Sequence, residues 1–514
     1  MSTPRFSSPR PGAPSRWRLL ALIAPLSILA PREADASPVV DLAGSVGGNG
    51  GVQGVVSGPS AASTYFNPAM LTEADEDGLV GLALISEQVG VTLDGRRGGD
   101  VPLIVAGRDV VGPSGQPIPN DVVPTQWLNQ GCPAGTTPGT CPTAFTPRPR
   151  QAQGSSGKTR SYLTLGLVKH LIRDRLSFGV YAMLPMSSFT SAQAFYPDER
   201  EALFTNSLHP ELYGDRLTSI SIIVGAGLKL LPSLSIGAGL SVGVANTATS
   251  ASYVRDSTNY DLLLINNDVA TNVSLSPTFG ARWQPASWLR LGGAAHAPEA
   301  FTIDTTVAAT LPDGTESGTV RHDVFDWMPW ILNFGAEADV MHRGAYTMSL
   351  TGSVKYAFWS SYEDRHGQSP SMYGADMGWS NTLSGALGLR HQYGPWRGFM
   401  DLLYVPSPVP QQVGRSNYVD NDRVGMALGA DVRLKLGPFT VVPGLQLFGN
   451  RLVHRYAKKD DSRILDELPD GSVFGSTHDP VPGAQGLQTN NPGWPGFASE
   501  GWIWGGAVTV QVPL

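Results

Sequence analysis

The chain is short of charge. Asp, Glu, Lys and Arg make up 15% of its 514 residues, where a soluble globular domain carries about 25%. It has only two cysteines, Cys132 and Cys141, too few for a disulfide framework or a cysteine-built metal cluster to organise the fold. Beyond its N-terminal segment no run reaches the roughly 18 consecutive apolar residues of a membrane helix. Basic residues are outnumbered, 36 against 43 acidic, which removes the electropositive face that nucleic acid requires. The nine His residues are scattered. His170, His296, His342 and His454 fall in or near expected strands, and no pair has metal or triad spacing. No catalytic residue, no metal site and no cofactor is therefore expected, and the chain reads as a non-enzyme.

What is present begins with a processing signal. Arg5, Arg10, Arg16 and Arg18 precede the apolar run "LLALIAPLSILA", and Ala34, Asp35 and Ala36 fit a small-x-small cleavage site. The run is about 12 residues, short of the roughly 20 that span a bilayer, so residues 1–36 are expected to be a signal peptide. That segment holds five Arg against two acidic residues, and its loss leaves the remainder more negative than the −7 of the whole chain. Glycine contributes 60 of the 514 residues, well above the usual 7% or so. An exported chain that is weakly charged, glycine-rich and without apolar helices fits a closed β-barrel. In a bilayer every backbone N–H and C=O must find a partner within the protein.

From Leu79 onward the dominant pattern is alternation with a period of two. In "RLSFGVYAMLP" the residues Leu176, Phe178, Val180, Ala182 and Leu184 fall on one face, and Ser177, Gly179, Tyr181, Met183 and Pro185 on the other. In the C-terminal stretch Trp502, Trp504, Val508, Val510, Val512 and Leu514 share a face, with Thr509 and Gln511 opposite. An amphipathic last strand of this kind is what barrel-assembly machinery is expected to recognise. Short connections such as 172–175, 231–233 and 284–287 read as periplasmic turns, and the long ones, 94–158, 187–215, 364–378 and 461–497, as extracellular loops. Counting strands by this rule predicts about fourteen antiparallel strands. Trp327, Trp330, Trp359, Trp379, Trp396, Trp502 and Trp504 recur near strand ends and are expected to form two interfacial girdles. Cys132 and Cys141 read as a disulfide closing a small loop in an oxidising compartment.

Several tempting motifs lack their context. "GLSVG" (Gly239 to Gly243) matches a nucleophile elbow but sits inside an alternating strand, without the strand-to-helix turn the motif needs. "GSVGGNGG" lacks the Gly-Lys-Ser/Thr ending of a phosphate loop. The acidic "EADED", Glu73 to Asp77, is expected to be a solvated turn before the first strand.

The uncharged stretch between Asp41 and Glu73 ends in "STYFNPAML", just ahead of that strand. "LRLGGAAHAP" (Leu289 to Pro298), "KYAFWSSYED" (Lys355 to Asp364), "YVPSPVPQQ" and "DNDRVGMALGAD" follow in order. Together these resemble the outer-membrane long-chain fatty acid transporter family, FadL and its toluene-transport relatives. The resemblance implies a 14-stranded all-β antiparallel transmembrane barrel over 78–514, in the bacterial outer membrane, plugged by a hatch at about 37–77. Hydrophobic ligands would bind among the outer loops, enter a lumen pocket and leave sideways beside a kinked third strand. Phe66, Asn67, Pro68 and Ala69 would be the gate, and Pro185 the kink. Phe189, Phe195, Tyr196, Leu203, Phe204, Leu208, Leu212 and Tyr213 are the loop residues expected to capture ligand. The expected partners are a hydrophobic small molecule, outer-membrane lipid and the assembly machinery, with the protein a monomer. A general porin for polar solutes and a structural or surface-interaction barrel are the alternatives.

Overall fold

The first strand, β1 (Asp77–Leu93), shows how the sequence builds the wall. Val80, Leu82 and Leu84 are more than half exposed, while Leu79, Ala83 and Ile85 on the other face are buried. A large apolar side chain exposed at every second position has no place in water and is at home against lipid. The same parity holds at the other end of the chain, where Trp502, Trp504, Val508, Val510, Val512 and Leu514 are exposed and Thr509 and Gln511 are buried.

The computed structural model describes residues 38–93, 110–111, 117–118, 158–186, 220–254, 263–310, 316–363, 378–411, 418–458 and 496–514. The expected signal peptide, most of the four long loops, both cysteines and all eight ligand-capture residues from Phe189 to Tyr213 lie outside them.

Seventeen ladder segments form one sheet. Three wall strands are each interrupted once, so the wall has fourteen strands. After β1 come β2 (Lys158–Ile172), β3 (Leu176–Pro185), β4 (Ser221–Leu231), β5 (Leu234–Val254) and β6 (Leu263–Ala286). The interrupted β7 (Leu289–His296, then Glu299–Thr310) and β8 (Glu316–Met328, then Ile331–Arg343) follow. The rest are β9 (Tyr346–Ala357), β10 (Thr382–Tyr393), β11 (Trp396–Val405), β12 (Arg423–Val432, then Leu434–Leu436), β13 (Phe439–Lys458) and β14 (Gly496–Pro513). Neighbours pair antiparallel, and β14 returns to β1 in register from Asp77 opposite Pro513 to Leu93 opposite Phe497. Closure removes every sheet edge, as a bilayer demands. One parallel pairing is found among the described residues: the outer part of β7, from Ile303 to Thr310, runs beside Asn246 to Tyr253 of β5.

At the end that carries both β1's start and β14's finish, the turns are tight. Gly344, Gly394 and Gly437 take left-handed φ values of 59°, 57° and 62° there, which glycine adopts without the strain a Cβ would bring.

Inside this wall lie the residues ahead of β1. They form α1 (Pro38–Ala43), α2 (Ser63–Phe66) and a 3₁₀ turn at Pro68–Thr72, joined by small residues. Val39, Val40, Val55, Val56, Ala62, Ala69, Met70 and Leu71 have no accessible surface. We refer to this segment by position as the hatch.

The tryptophans divide. Trp330, Trp396, Trp502 and Trp504 are 43%, 56%, 48% and 51% exposed, as girdle residues should be. Trp327, Trp359 and Trp379 are buried, which corrects the expectation that all seven line the membrane interface. They pack with Tyr362 and Tyr418, Tyr362 lying flat on Trp379 at 3.6 Å between centroids. Position near a strand end does not distinguish an outward ring from an inward one.

Candidate functional site

The hatch carries no charge between Asp41 and Glu73, and the wall supplies the charges that hold it. Arg390 on β10 and Asp401 on β11 form a buried ion pair, with Nη1 to Oδ1 at 2.6 Å. Arg390 also donates from Nη2 to the Gly50 carbonyl at 2.6 Å and from Nε to Ser57 Oγ at 3.0 Å. Asp401 Oδ2 accepts the Val52 amide at 3.0 Å. On β6, Arg282 Nη1 donates to the Val56 carbonyl, and its Nε and Nη2 grip both carboxylate oxygens of Glu73, each at 2.9 Å. Gln446 on β13 donates to the Ala43 carbonyl. A plug of uncharged, small residues leaves many backbone groups to satisfy, and buried groups without partners are costly. Wall side chains therefore do the work that hatch side chains cannot.

The acidic run at the hatch's end is correspondingly not a free solvated turn. Glu73 pairs with Arg282, Asp75 with Arg433, and Glu76 with Lys169, so three points of the barrel's short-turn rim hold the hatch's last residues. The Lys169 ammonium bonded to Glu76 holds that carboxyl below the usual carboxylate range. Asp77 is buried.

The stretch from Phe66 to Ala69 is fully built. Asn67 is extended (φ −166°, ψ 95°) between α2 and the 3₁₀ turn. Its Oδ1 accepts the Ala69 amide at 3.2 Å, and its Nδ2 donates to the Val55 carbonyl at 2.8 Å and the Ala281 carbonyl of β6 at 3.0 Å. One side chain thus caps the turn, ties the two halves of the hatch together and fastens both to the wall. Pro68, at the first position of the turn, has no N–H to leave unsatisfied. The wall faces this stretch with glycine. A Cβ at Gly237 would lie 2.3 Å from the Ala69 nitrogen, and one at Gly280 would lie 2.2 Å from Asn67 Oδ1. Phe66 stands edge-on to Tyr65, whose ring also meets His296 at 4.8 Å.

The Asn-Pro-Ala stretch therefore lies against β4, β5 and β6, while β3 meets the hatch at Thr64 and Leu71 through Gly179. The ladder between β4 and β5 is continuous from Ile222 to Lys229, and that between β5 and β6 along the whole of β5. Pro185 is the last residue of β3. Among the described residues the ladder to β4 runs in register from Leu176 to Met183, and Pro185 itself stands opposite Tyr162 of β2.

Above the hatch the lumen holds a cavity of about 130 Å³. Asp41, Val52 and Phe66 of the hatch meet Asn333, Lys355, Trp359, Arg423, Phe448 and Ile503 of the barrel around it. Lys355 Nζ pairs with Asp41 at 2.8 Å. Trp359 belongs both to this cavity and to the aromatic cluster at the loop end, 5.9 Å from Trp327 and 5.6 Å from Trp379 between centroids. Beside the cluster, the segment before β12 is tied down. Asn421 Nδ2 donates to the Val453 and Ser499 carbonyls, and Arg455 bonds Ser407, Val409, Pro410 and Asp420. Burial pushes the Asp420 carboxyl up to about 6.

Alternation alone marks Arg390 and Asp401 as inward-facing charges on membrane strands. That signal was available in the sequence, but their partners in the hatch were not.

No protein-family model matches the chain, and no curated protein matches it in sequence. Among solved structures it is similar to a FadL homologue of Pseudomonas aeruginosa, at 15% identity over 93% of this chain and 98% of that one, with a TM-score of 0.48. It is similar also to the toluene transporter TodX of P. putida (10% identity, 92% and 99% covered, TM-score 0.43). A third is the Ralstonia pickettii toluene transporter TbuX (11% identity, 94% and 99% covered, TM-score 0.40). The barrel stands on its own strand pairing.

Proposed function

We propose that this protein takes up hydrophobic small molecules passively across the bacterial outer membrane, with no covalent chemistry. The observation that carries the reading is the hatch: a segment packed largely out of solvent inside a lipid-belted barrel, with a small, partly open cavity above it. A water-filled pore offers an apolar solute nothing, whereas a dry path lined by apolar side chains favours it by about 25 cal/mol per Å² buried. Ligand would be captured at the outer loops, pass the aromatic cluster around Trp359 and rest in the cavity. Release would follow movement of the Phe66–Ala69 stretch.

Sideways exit into the membrane is the route we favour. Among the described residues the ladder between β3 and β4 runs to Met183 opposite Ser221, and Pro185 beyond it has no N–H to extend the pairing. Parting of these two strands would therefore start at their outer ends. The hatch disfavours a general porin, and the cavity disfavours a purely structural barrel.

The test is accumulation in cells. Cells making the protein should accumulate a labelled hydrophobic solute faster than cells without it, while their uptake of a small sugar stays unchanged. Faster sugar uptake with no effect on the hydrophobic solute would contradict the proposal.

A further inference from the structure

We infer that the lumen cavity takes a single-ring aromatic acid, preferably one that also carries a hydroxyl group. The inference rests on the uptake reading above and narrows its substrate.

Size comes first. A dry cavity of about 150 Å³ is known to accept benzene, and this one is about 130 Å³. That is room for one ring with small substituents, whereas a long acyl chain would have to extend out through the cavity's open side. The apolar part of the lining suits a ring: Phe66 from the hatch, and Trp359, Phe448 and Ile503 from the barrel.

Charge comes second. Arg423 lines the cavity, and none of its five donors has a hydrogen-bond or ion-pair partner among the described residues. Asp41 and Asp420 attract it electrostatically, but neither is hydrogen-bonded to it. Asp41 is bonded to Lys355, and Asp422 accepts from Tyr404 Oη at 2.7 Å and from the Ser407 amide at 2.8 Å. A guanidinium fork facing a partly apolar cavity is matched by a carboxylate, which it can grip through two parallel hydrogen bonds. A hydrocarbon would leave those donors unsatisfied.

The third element is Asn333. It stands directly across from Lys355 on the neighbouring strand and lines the same cavity. Its Oδ1 is buried and has no hydrogen-bond partner. Whichever way the amide is turned, an unmet polar atom lies buried beside the cavity, and a rotation of the side chain would bring it to a ligand. A phenolic hydroxyl, which both donates and accepts, satisfies it in either orientation. A site built around a hydroxyl discriminates strongly against the analogue that lacks one.

The experiment is equilibrium binding to the purified full chain in mild detergent, with 4-hydroxybenzoate, benzoate, p-cresol, toluene and palmitate as probes. We expect 4-hydroxybenzoate to bind most tightly and benzoate next. Arg423→Gln should weaken both acids at least tenfold and leave p-cresol unchanged, and Arg423→Lys should recover part of the loss. Asn333→Leu should weaken 4-hydroxybenzoate more than benzoate. Heat-modifiable migration on gels shows whether each variant is folded. Toluene or palmitate binding at least as tightly as the acids, with acid binding indifferent to Arg423→Gln, would overturn the inference and leave hydrophobic uptake standing. Failure of all five probes to bind would overturn both.

Discussion

Arg390 and Asp401 lie side by side in the wall, 2.6 Å apart, and both also bond the hatch, Arg390 at Gly50 and Ser57 and Asp401 at Val52. The pair is therefore at once a wall contact and the anchor of the Gly50–Ser57 turn. Asp401→Ala leaves the buried guanidinium without its counter-charge, a change that costs about 3–5 kcal/mol. We expect this variant to lose its heat-resistant folded band at a lower temperature and to expose the hatch to protease. The double substitution Arg390→Met with Asp401→Leu removes both charges and should be milder than Asp401→Ala.

Glu73 and Arg282 anchor the other half of the hatch. Glu73→Gln keeps the shape and removes the charge, and hydrogen bonds to a charged group contribute about 1.5–3 kcal/mol. Arg282 keeps its bond to the Val56 carbonyl, so the hatch should loosen without leaving. The expected readout is brief current openings in planar bilayers from a barrel that still folds.

The glycines facing Asn67 to Ala69 admit no side chain. Gly237→Ala puts a Cβ 2.3 Å from hatch backbone, and overpacking of this kind costs about 1–3 kcal/mol. Gly352→Ala, whose Cβ would come no nearer than 3.4 Å to Leu387 Cδ2 and 3.9 Å to the Ala386 carbonyl oxygen, should stay within roughly 0.5 kcal/mol of the parent. Thermal shifts of the folded band compare the two. A Gly237→Ala protein as stable and as electrically quiet as Gly352→Ala would show that the hatch does not press on β5.

Asp420 gives a pH dependence of definite sign. Its carboxyl is raised from 3.8 to about 6 by burial, so the folded state holds this proton more tightly than the unfolded one. The penalty for ionising it is absent below the unfolded value and complete above the folded one. The unfolding temperature should therefore fall through this group as pH rises from 4 to above 6, and Asp420→Asn should flatten that part of the profile.

The wall was legible because a two-residue period writes the inside and outside of a strand directly into the chain. β14 is the plainest case, with every outward residue from Trp502 to Leu514 expected as such and found exposed. The absence of charge from Asp41 to Glu73 pointed to a segment out of water. Illegible were contacts whose partners lie far apart in sequence. Glu73, Asp75 and Glu76 look like a solvated acidic turn until Arg282, Arg433 and Lys169 are brought to them from three different strands. Trp327, Trp359 and Trp379 carry the same local signal as the girdle tryptophans, and only the packing of the loop end turns them inward. The Asn-Pro-Ala stretch meets the wall closely at Gly227, Gly237 and Gly280 of β4 to β6, a contact that no local pattern in the sequence announces. Arg423 gave no sign in the sequence that it would face a cavity.

The central claim is that the hatch closes the lumen to the free passage of water and ions. Its most direct test is the conductance of the purified, unliganded full chain in a planar bilayer. The account predicts a barrel that inserts and stays electrically closed, apart from rare brief openings. A steady, porin-sized conductance from the intact protein would contradict it.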